Sequence, residues 1–390
     1  MALLAHSKSF SRAFFVAAAL LLTGGARADI QPDQVGAVEG LPADYPTHWA
    51  LVHDFSFFHM LEGKVVVVDP LAETAGGQFK GMMTASFIST FQHSAVRNEH
   101  YVIEGFFSRG GRGGERSEFV TIYDPATLSV AAEVAIPNTR ITGMPKRTAS
   151  GLLAGDRFLA VYNFSPAQSI SIVDLESREF VGEISTPGCG FIIPNGESSF
   201  TSLCSNGALL TTHLDADGKQ SGSSSIEDVI DVQDDPVFEG GVFVDGKGYM
   251  PTFQGRIIQL DLSDKEVAVD GEWWLTGEDE RNWRPGGMKP TMSDDAGIGY
   301  FLMNPEGGEG THKDGGSEVW VYDLANKTRT DRIELKTWGL SLGSTGEGDE
   351  RLMFVTNAEM GVDVYRLPKG EFVHTLAPVG DTPFMVYGTQ

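Results

Sequence analysis

Cysteine is almost absent, with two residues in 390, Cys189 and Cys204, too far apart for a thiol redox motif. Basic residues are also few: 29 Lys and Arg face 53 Asp and Glu, for a formal net charge of −24. A surface of that sign repels phosphate backbones and anionic lipid, which argues against nucleic-acid and membrane-surface roles. It suits solubility, or attraction of cationic substrates and partners. Beyond residue 28 no apolar run approaches the length of about eighteen residues that a membrane helix needs. No amphipathic helical stretch exceeds about two turns. Several chemical signatures are missing too. There is no Gly-x-Ser-x-Gly elbow, no Cys-x-x-Cys-His haem attachment, and no glycine fingerprint that follows a strand and opens a helix. The glycine-rich stretch at 108–116 (SRGGRGGER) runs into strand-like residues, so it reads as a hairpin loop. The nine histidines do not fall at zinc spacing. His53 and His59 flank Asp54-Phe55-Ser56-Phe57-Phe58, and that aromatic cluster breaks the alternation that two ligands on one strand require. No metal site and no catalytic residue is expected in this chain.

The first 28 residues read as an export leader. Lys8 and Arg12 precede the apolar stretch Ala13–Leu22, and Ala26-Arg27-Ala28 fits a small-x-small cleavage site. Cleavage near Ala28 implies a periplasmic chain, and loss of three basic residues takes the net charge to −27. A retained N-terminal anchor is the alternative. Residues 29–47 are polar, carry three prolines and read as an arm, leaving 48–390 as the folded domain.

What the chain has in abundance is one repeated phrase. A β-branched and apolar run closes on Asp69 (VVVVD), Asp124 (VTIYD), Asp174 (ISIVD), Asp215 (LTTHLD), Asp261 (IIQLD), Asp323 (VWVYD) and, with Arg in place of Asp, Arg366 (VDVYR). The steps are 55, 50, 41, 46, 62 and 43 residues. Two polar interruptions, at 277–287 and 304–316, account for the long step. A unit returning at such a period marks a repeat architecture. Each run has strand composition, and the Asp with its following residues has turn composition. The 47 glycines suit many hairpins better than helices. The expected fold is all-β, a seven-bladed β-propeller, whose radial closure leaves few free edges.

Two further features bear on stability and function. Cys189 and Cys204 lie on either side of the turn residues Pro194-Asn195-Gly196. A symmetric hairpin folding there places them opposite each other, and export favours a disulfide. Closing a loop of that size stabilises by about 3 kcal/mol. Phe55, Phe57 and Phe58 lie just before the first phrase and Phe79 just after it, beyond Gly76-Gly77. They read as core residues or as an apolar wall facing a ligand channel or partner.

Several stretches together resemble the heavy subunit of the bacterial quinoprotein amine dehydrogenases. They are FFHMLEGKVVVVD (57–69), GGQFKGM (76–82), FFSRGGRGGERSEFVTIYDP (106–125), FSPAQSISIVDLESREFV (164–181), GCGFIIPNGESSFTSLCSNGALL (188–210), NWRPGG (282–287) and PEGGEGTHKDGGSEVWVYD (305–323). Within the methylamine dehydrogenase family, FFHML and GEGTHK place the chain nearer the aromatic amine dehydrogenase branch. The resemblance implies a propeller subunit that is not itself catalytic. It implies a tetramer of two heavy and two light chains in the periplasm. The light chain would carry tryptophan tryptophylquinone and oxidise a primary amine to aldehyde and ammonia, with electrons leaving to a blue-copper protein. The six tryptophans of the present chain then serve packing and interfaces. It also implies a heavy-chain phenylalanine lining the substrate channel. Phe79 is the best match, with Phe57 and Phe58 as further candidates, and Cys189 and Cys204 match the family's paired cysteines. The glycines at 110–114 and the Asp314-Gly315-Gly316 run depart from the family pattern. Two other readings stand beside this one: a self-sufficient propeller hydrolase of lactonase type, which needs His or Glu residues facing the axis, and a non-catalytic binding propeller.

Overall fold

A computed structural model of the chain describes residues 40–110, 113–138 and 146–389. The leader and residues 29–39 of the arm lie outside these. The described residues form an all-β propeller with one α-helix of four residues, Ala75–Gln78, and four single-turn 3-10 helices. Strands β1 (Ala50–Asp54), β2 (Glu62–Val68) and β3 (Phe79–Ser86) begin the first sheet. The second holds β4 (Thr90–Ser94), β5 (Glu99–Phe107), β6 (Arg116–Tyr123) and β7 (Val130–Ile136). The third holds β8 (Ser150–Leu153), β9 (Phe158–Asn163), β10 (Ser169–Asp174) and β11 (Glu179–Ser185). The fourth holds β12 (Cys189–Asn195), β13 (Ser199–Cys204), β14 (Leu209–Leu214) and β15 (Gln220–Ile226). The fifth holds β16 (Val242–Val244), β17 (Lys247–Pro251), β18 (Arg256–Asp261) and β19 (Ala268–Trp274). Then come β20 (Arg284–Pro285), β21 (Thr291–Ser293), β22 (Ile298–Asn304), β23 (Gly316–Asp323), β24 (Thr328–Thr345), β25 (Leu352–Asn357), β26 (Val362–Arg366) and β27 (Glu371–Thr375). The last strand, β28 (Pro383–Gly388), returns to pair with β1 and completes the first sheet as β28-β1-β2-β3.

The expectation of seven separate blades needs correction. Five four-stranded sheets stand alone, and strands β20 to β27 form one continuous sheet. The cause is β24, an unbroken strand of eighteen residues. Residues 328–334 pair with β23, and 341–345 pair with β25. No Pro or tight turn interrupts TRTDRIELKTWGLSLGST, so the outer strand of one half runs on as the inner strand of the next.

The repeated phrase occupies one structural position. In every four-stranded sheet it is the third strand, and it appears twice in the long sheet, as β23 and β26. Its side chains are buried on both faces because neighbouring sheets pack on either side. Strand β10 is buried at all six positions, which explains a continuous apolar run where alternation would mark a half-exposed strand. Outermost strands such as β19 are mostly exposed. Core clusters bridge neighbours: Val65, Val67 and Met83 of the first sheet meet Phe91 and Val102 of the second. Ring closure is buried too, with Val52 and Val66 against Phe354 and Val364. A further core lies inside the long sheet, where Leu302 and Val319 pack on Leu342 and Val355. Each such Val or Leu, fully buried, contributes about 1.5–3 kcal/mol.

The closing Asp of the phrase is a turn cap. Its carboxylate accepts backbone N–H groups two or three residues on, as in Asp124 to Thr127 (2.8 Å), Asp174 to Glu176 (2.9 Å), Asp215 to Asp217 (2.9 Å), Asp261 to Ser263 (3.0 Å) and Asp323 to Asn326 (2.9 Å). This geometry substitutes a side chain for a backbone acceptor and fixes the turn locally. Hydrogen bonds from Asn326 hold the Asp323 carboxyl below its ordinary range, as those from Ser263 do for Asp261.

The two cysteines are cross-strand partners in the β12–β13 hairpin and form the disulfide, with Cα atoms 4.0 Å apart. The turn falls at 196–198, beginning on Gly196 at positive φ. A Cβ there would sit 2.8 Å from the backbone N of Lys265.

Candidate partner-docking face

The ends of β4, β21, β24 and β28 meet around one cleft, lined by His93, Asp294, Thr345 and Gly388. These inner strands therefore run the same way. It follows that hairpins between second and third strands all project at the opposite end of the ring. They comprise 55–61, 108–110 with 113–115, 164–168 and 358–361, with counterparts in the other sheets.

That hairpin end carries exposed apolar side chains. Phe57, Phe58, Met60 and Leu61 are exposed on the first sheet, Phe106 and Phe107 at the base of the second hairpin, Phe164 on the third and Met360 on the last. Phe58 is the most open of the aromatics, 67 % exposed, with its ring 5.6 Å from Phe57 in an edge-on contact. Phe55 turns inward instead, stacked near Phe384 and His53. An exposed apolar cluster of this kind marks an interaction surface.

The first hairpin is held rigidly from below. Asp54 is fully buried, and its carboxylate accepts from the backbone N–H of Ser56 (3.0 Å), Asp381 (3.0 Å) and Thr382 (2.9 Å) and pairs with Lys64 (3.2 Å). Burial alone would raise its pKa, but these bonds outweigh it and the carboxyl lies below its ordinary range. The Phe57 N–H donates to Thr382 Oγ1 at 2.7 Å. Ser56 and Met60 adopt positive φ, so the backbone bends sharply and presents the two phenylalanines outward.

Phe79 lies elsewhere. It opens β3, the outermost strand, paired with Val68, whereas the 55–61 hairpin adjoins Glu62, which pairs with Ser86. The length of β3 separates the two positions by roughly 20 Å. Phe79 is half-exposed, but at the end of the ring where the Asp turns lie. Phe57 and Phe58 are thus brought together, and Phe79 is not with them. Sequence reasoning missed Phe106, Phe107 and Phe164 as companions of Phe57 and Phe58. Their shared place in the repeat, just after the second strand, was the available signal.

Acidic and imidazole groups near the axis are engaged. Glu239 pairs with Lys146 at 3.0 Å, Asp294 with Arg351 at 2.8 Å, and Asp295 with Arg351 at 3.3 Å. His93 contacts the Thr389 carbonyl and His100. No group of three or more potential metal ligands occurs among the described residues. Trp320 is fully buried, donates to Glu318 at 2.9 Å and lies between Trp283 and the Arg329 guanidinium, a packing role. His53, flagged by its spacing to His59, is buried against Ser89, while His59 pairs with Asp381 at the surface.

Comparison with known proteins gives the family and the fold. Residues 48–389 match the family described as methylamine dehydrogenase heavy chain (MADH). The chain is 26 % identical to the methylamine dehydrogenase heavy chain of Methylophilus methylotrophus, with 95 % of this chain and 94 % of that one covered. It is 29 % identical to that of Methylobacillus flagellatus, covering 78 % and 74 %. Among solved structures, the periplasmic gluconolactonase PpgL of Pseudomonas aeruginosa superposes with a TM-score of 0.59 at 13 % identity, covering 87 % of this chain and 98 % of that one. At that identity the likeness concerns the fold alone.

Proposed function

We propose that this chain, which belongs to the methylamine dehydrogenase heavy chain family, is the large, non-catalytic subunit of a periplasmic amine dehydrogenase and docks its light subunit on the hairpin end. The observation that carries this reading is the cluster of Phe57, Phe58, Met60 and Leu61, exposed yet braced by Asp54. Five four-stranded sheets and the long sheet together form the scaffold. The export leader ends near Ala28, and residues 29–47 are an arm whose described part packs Leu41 and Tyr45 on the first core.

Tryptophan tryptophylquinone, carried by the light subunit, supplies the electrophilic carbonyl for a primary amine. This chain needs no residue to bind it. Its part is to seat the light subunit, exclude water and narrow the approach with aromatic side chains. The hairpin geometry favours Phe57 and Phe58 over Phe79 for that wall. Aromatic walls suit an aromatic amine. The assembly is two heavy and two light chains, and electrons leave to a blue-copper protein. An obligate interface of this kind buries more than about 2,000 Å².

The test is co-expression with the quinone-bearing light chain, followed by amine turnover. Phe58→Ala should change the ratio of kcat/KM for aromatic against aliphatic amines, and Phe79→Ala should leave it unchanged. A reversed result would restore Phe79 as the channel residue. Failure to co-purify any quinone-bearing chain would leave the binding-propeller reading in its place.

A further inference from the structure

A cavity of about 290 Å³ lies where the innermost strands converge, lined from β4, β8, β12, β16, β21, β24 and β28. Much of its wall is apolar, including Leu152, Ile192, Phe238, Met288, Met292 and Met385. Two cations face it. Lys289 Nζ donates to the carbonyls of Leu342 (2.7 Å) and Thr291 (3.0 Å), which leaves one N–H over. The Arg147 guanidinium lies 5.0 Å over the Tyr387 ring. Among the described residues its side chain has no hydrogen-bond or ion-pair partner, although a guanidinium has five donors. The acidic groups bordering the same space, Glu239, Asp294 and Asp295, are taken by Lys146 and Arg351. Burial, and then the charge of Arg147, drive the Lys289 pKa well below its ordinary range.

Lys289 is partly buried, and Arg147, although open to solvent, sets a second positive charge beside it, so the pair attracts a negative group to the cavity. In a chain of net charge −24, no carboxylate among the described residues fills that role here. We propose that the central cavity binds a small organic carboxylate, with its carboxyl group between Arg147 and Lys289 and its apolar body against Met288, Met292 and Met385. The planar fork of Arg147 matches a carboxylate in two parallel bonds. The apolar wall selects against free phosphate, which would lose hydration there and gain no contact.

The site can be tested on the purified full chain with phenylacetate as probe, beside its neutral isostere phenylacetamide and inorganic phosphate. Calorimetry should give saturable binding of phenylacetate and at least tenfold weaker binding of the other two. Arg147→Gln should weaken phenylacetate at least tenfold, and its melting temperature without ligand should match that of the unaltered chain, because the side chain makes only a ring contact. If that variant folds poorly, methionine-methyl NMR on the unaltered chain decides: phenylacetate should shift Met288, Met292 and Met385 first. Equal binding of phosphate and phenylacetate means an adventitious ion only. That outcome, no binding, or methyl shifts confined to other methionines would overturn the proposal.

Discussion

The two ends of the ring differ in how they use the same repeat. At one end the third strands finish in Asp-capped turns that resemble each other closely. At the other the hairpins vary in length and composition. Of seventeen exposed large hydrophobic residues, eight lie at the hairpin end, and Val96, Phe79, Val130 and Phe372 lie at the Asp end. The remainder lie on outer strands or in the central cavity. Recurrence and exposure are thus opposed. The recurring end solves a folding problem six times with one device, and the variable end is free to carry recognition. A repeated residue in a propeller should be read first as architecture.

The contrast can be broken most forcefully at the hairpin end. Replacing Phe57 and Phe58 together by Asp should weaken association with the light subunit by about 4 kcal/mol, roughly a thousandfold, since buried aromatic anchors dominate interfaces. Val96→Asp at the other end should change it little. Sedimentation of the mixed subunits measures both, and equal effects would erase the distinction between the ends.

Next comes the support beneath the hairpin. Asp54→Ala strands Lys64 and three backbone N–H groups, and should lower stability by about 3 kcal/mol in denaturant melts. It should also weaken light-subunit binding, by loosening Phe57 and Phe58.

Acid should attack the core between the two ends. Burial drives His53 and His100 down to about 3; for His53 the Asp54 charge opposes this only in part. The folded chain then binds fewer protons than the unfolded chain between the unfolded value, about 6.5, and 3. Stability is full above about pH 6.5 and falls as pH drops, by about 2 kcal/mol per histidine at pH 5. Urea midpoints at pH 7 and 5 should separate accordingly, and a flat profile would mean that neither ring is held neutral by burial.

The smallest effect belongs to a single turn. Asp323→Ala removes one cap and should cost about 1 kcal/mol, with no change in partner binding.

Much of the fold could be read from the sequence. The period of the phrase marks third strands correctly, because burial on both faces enforces apolar runs that stand out in any window. The number of separate sheets could not be read, since β24 passes from one half to the next without a turn residue to betray it. The disulfide was legible because hairpin symmetry places Cys189 opposite Cys204. The aromatic site was only half legible. Phe57, Phe58 and Phe79 are neighbours in sequence, yet a strand of seven residues carries the chain from one end of the ring to the other. Arg147 and Lys289 gave no signal at all. They lie far apart in sequence, and only ring closure brings them to one cavity.

That closure has a consequence for how the protein is made. The clasp is β28, which leaves the ribosome after the strands it closes against. Until it arrives, β1 offers a bare hydrogen-bonding edge to any passing chain. A stop codon just before β28 would therefore leave the whole circle unlatched rather than shorten it, and a chaperone that shields β1 during synthesis would be guarding the gap.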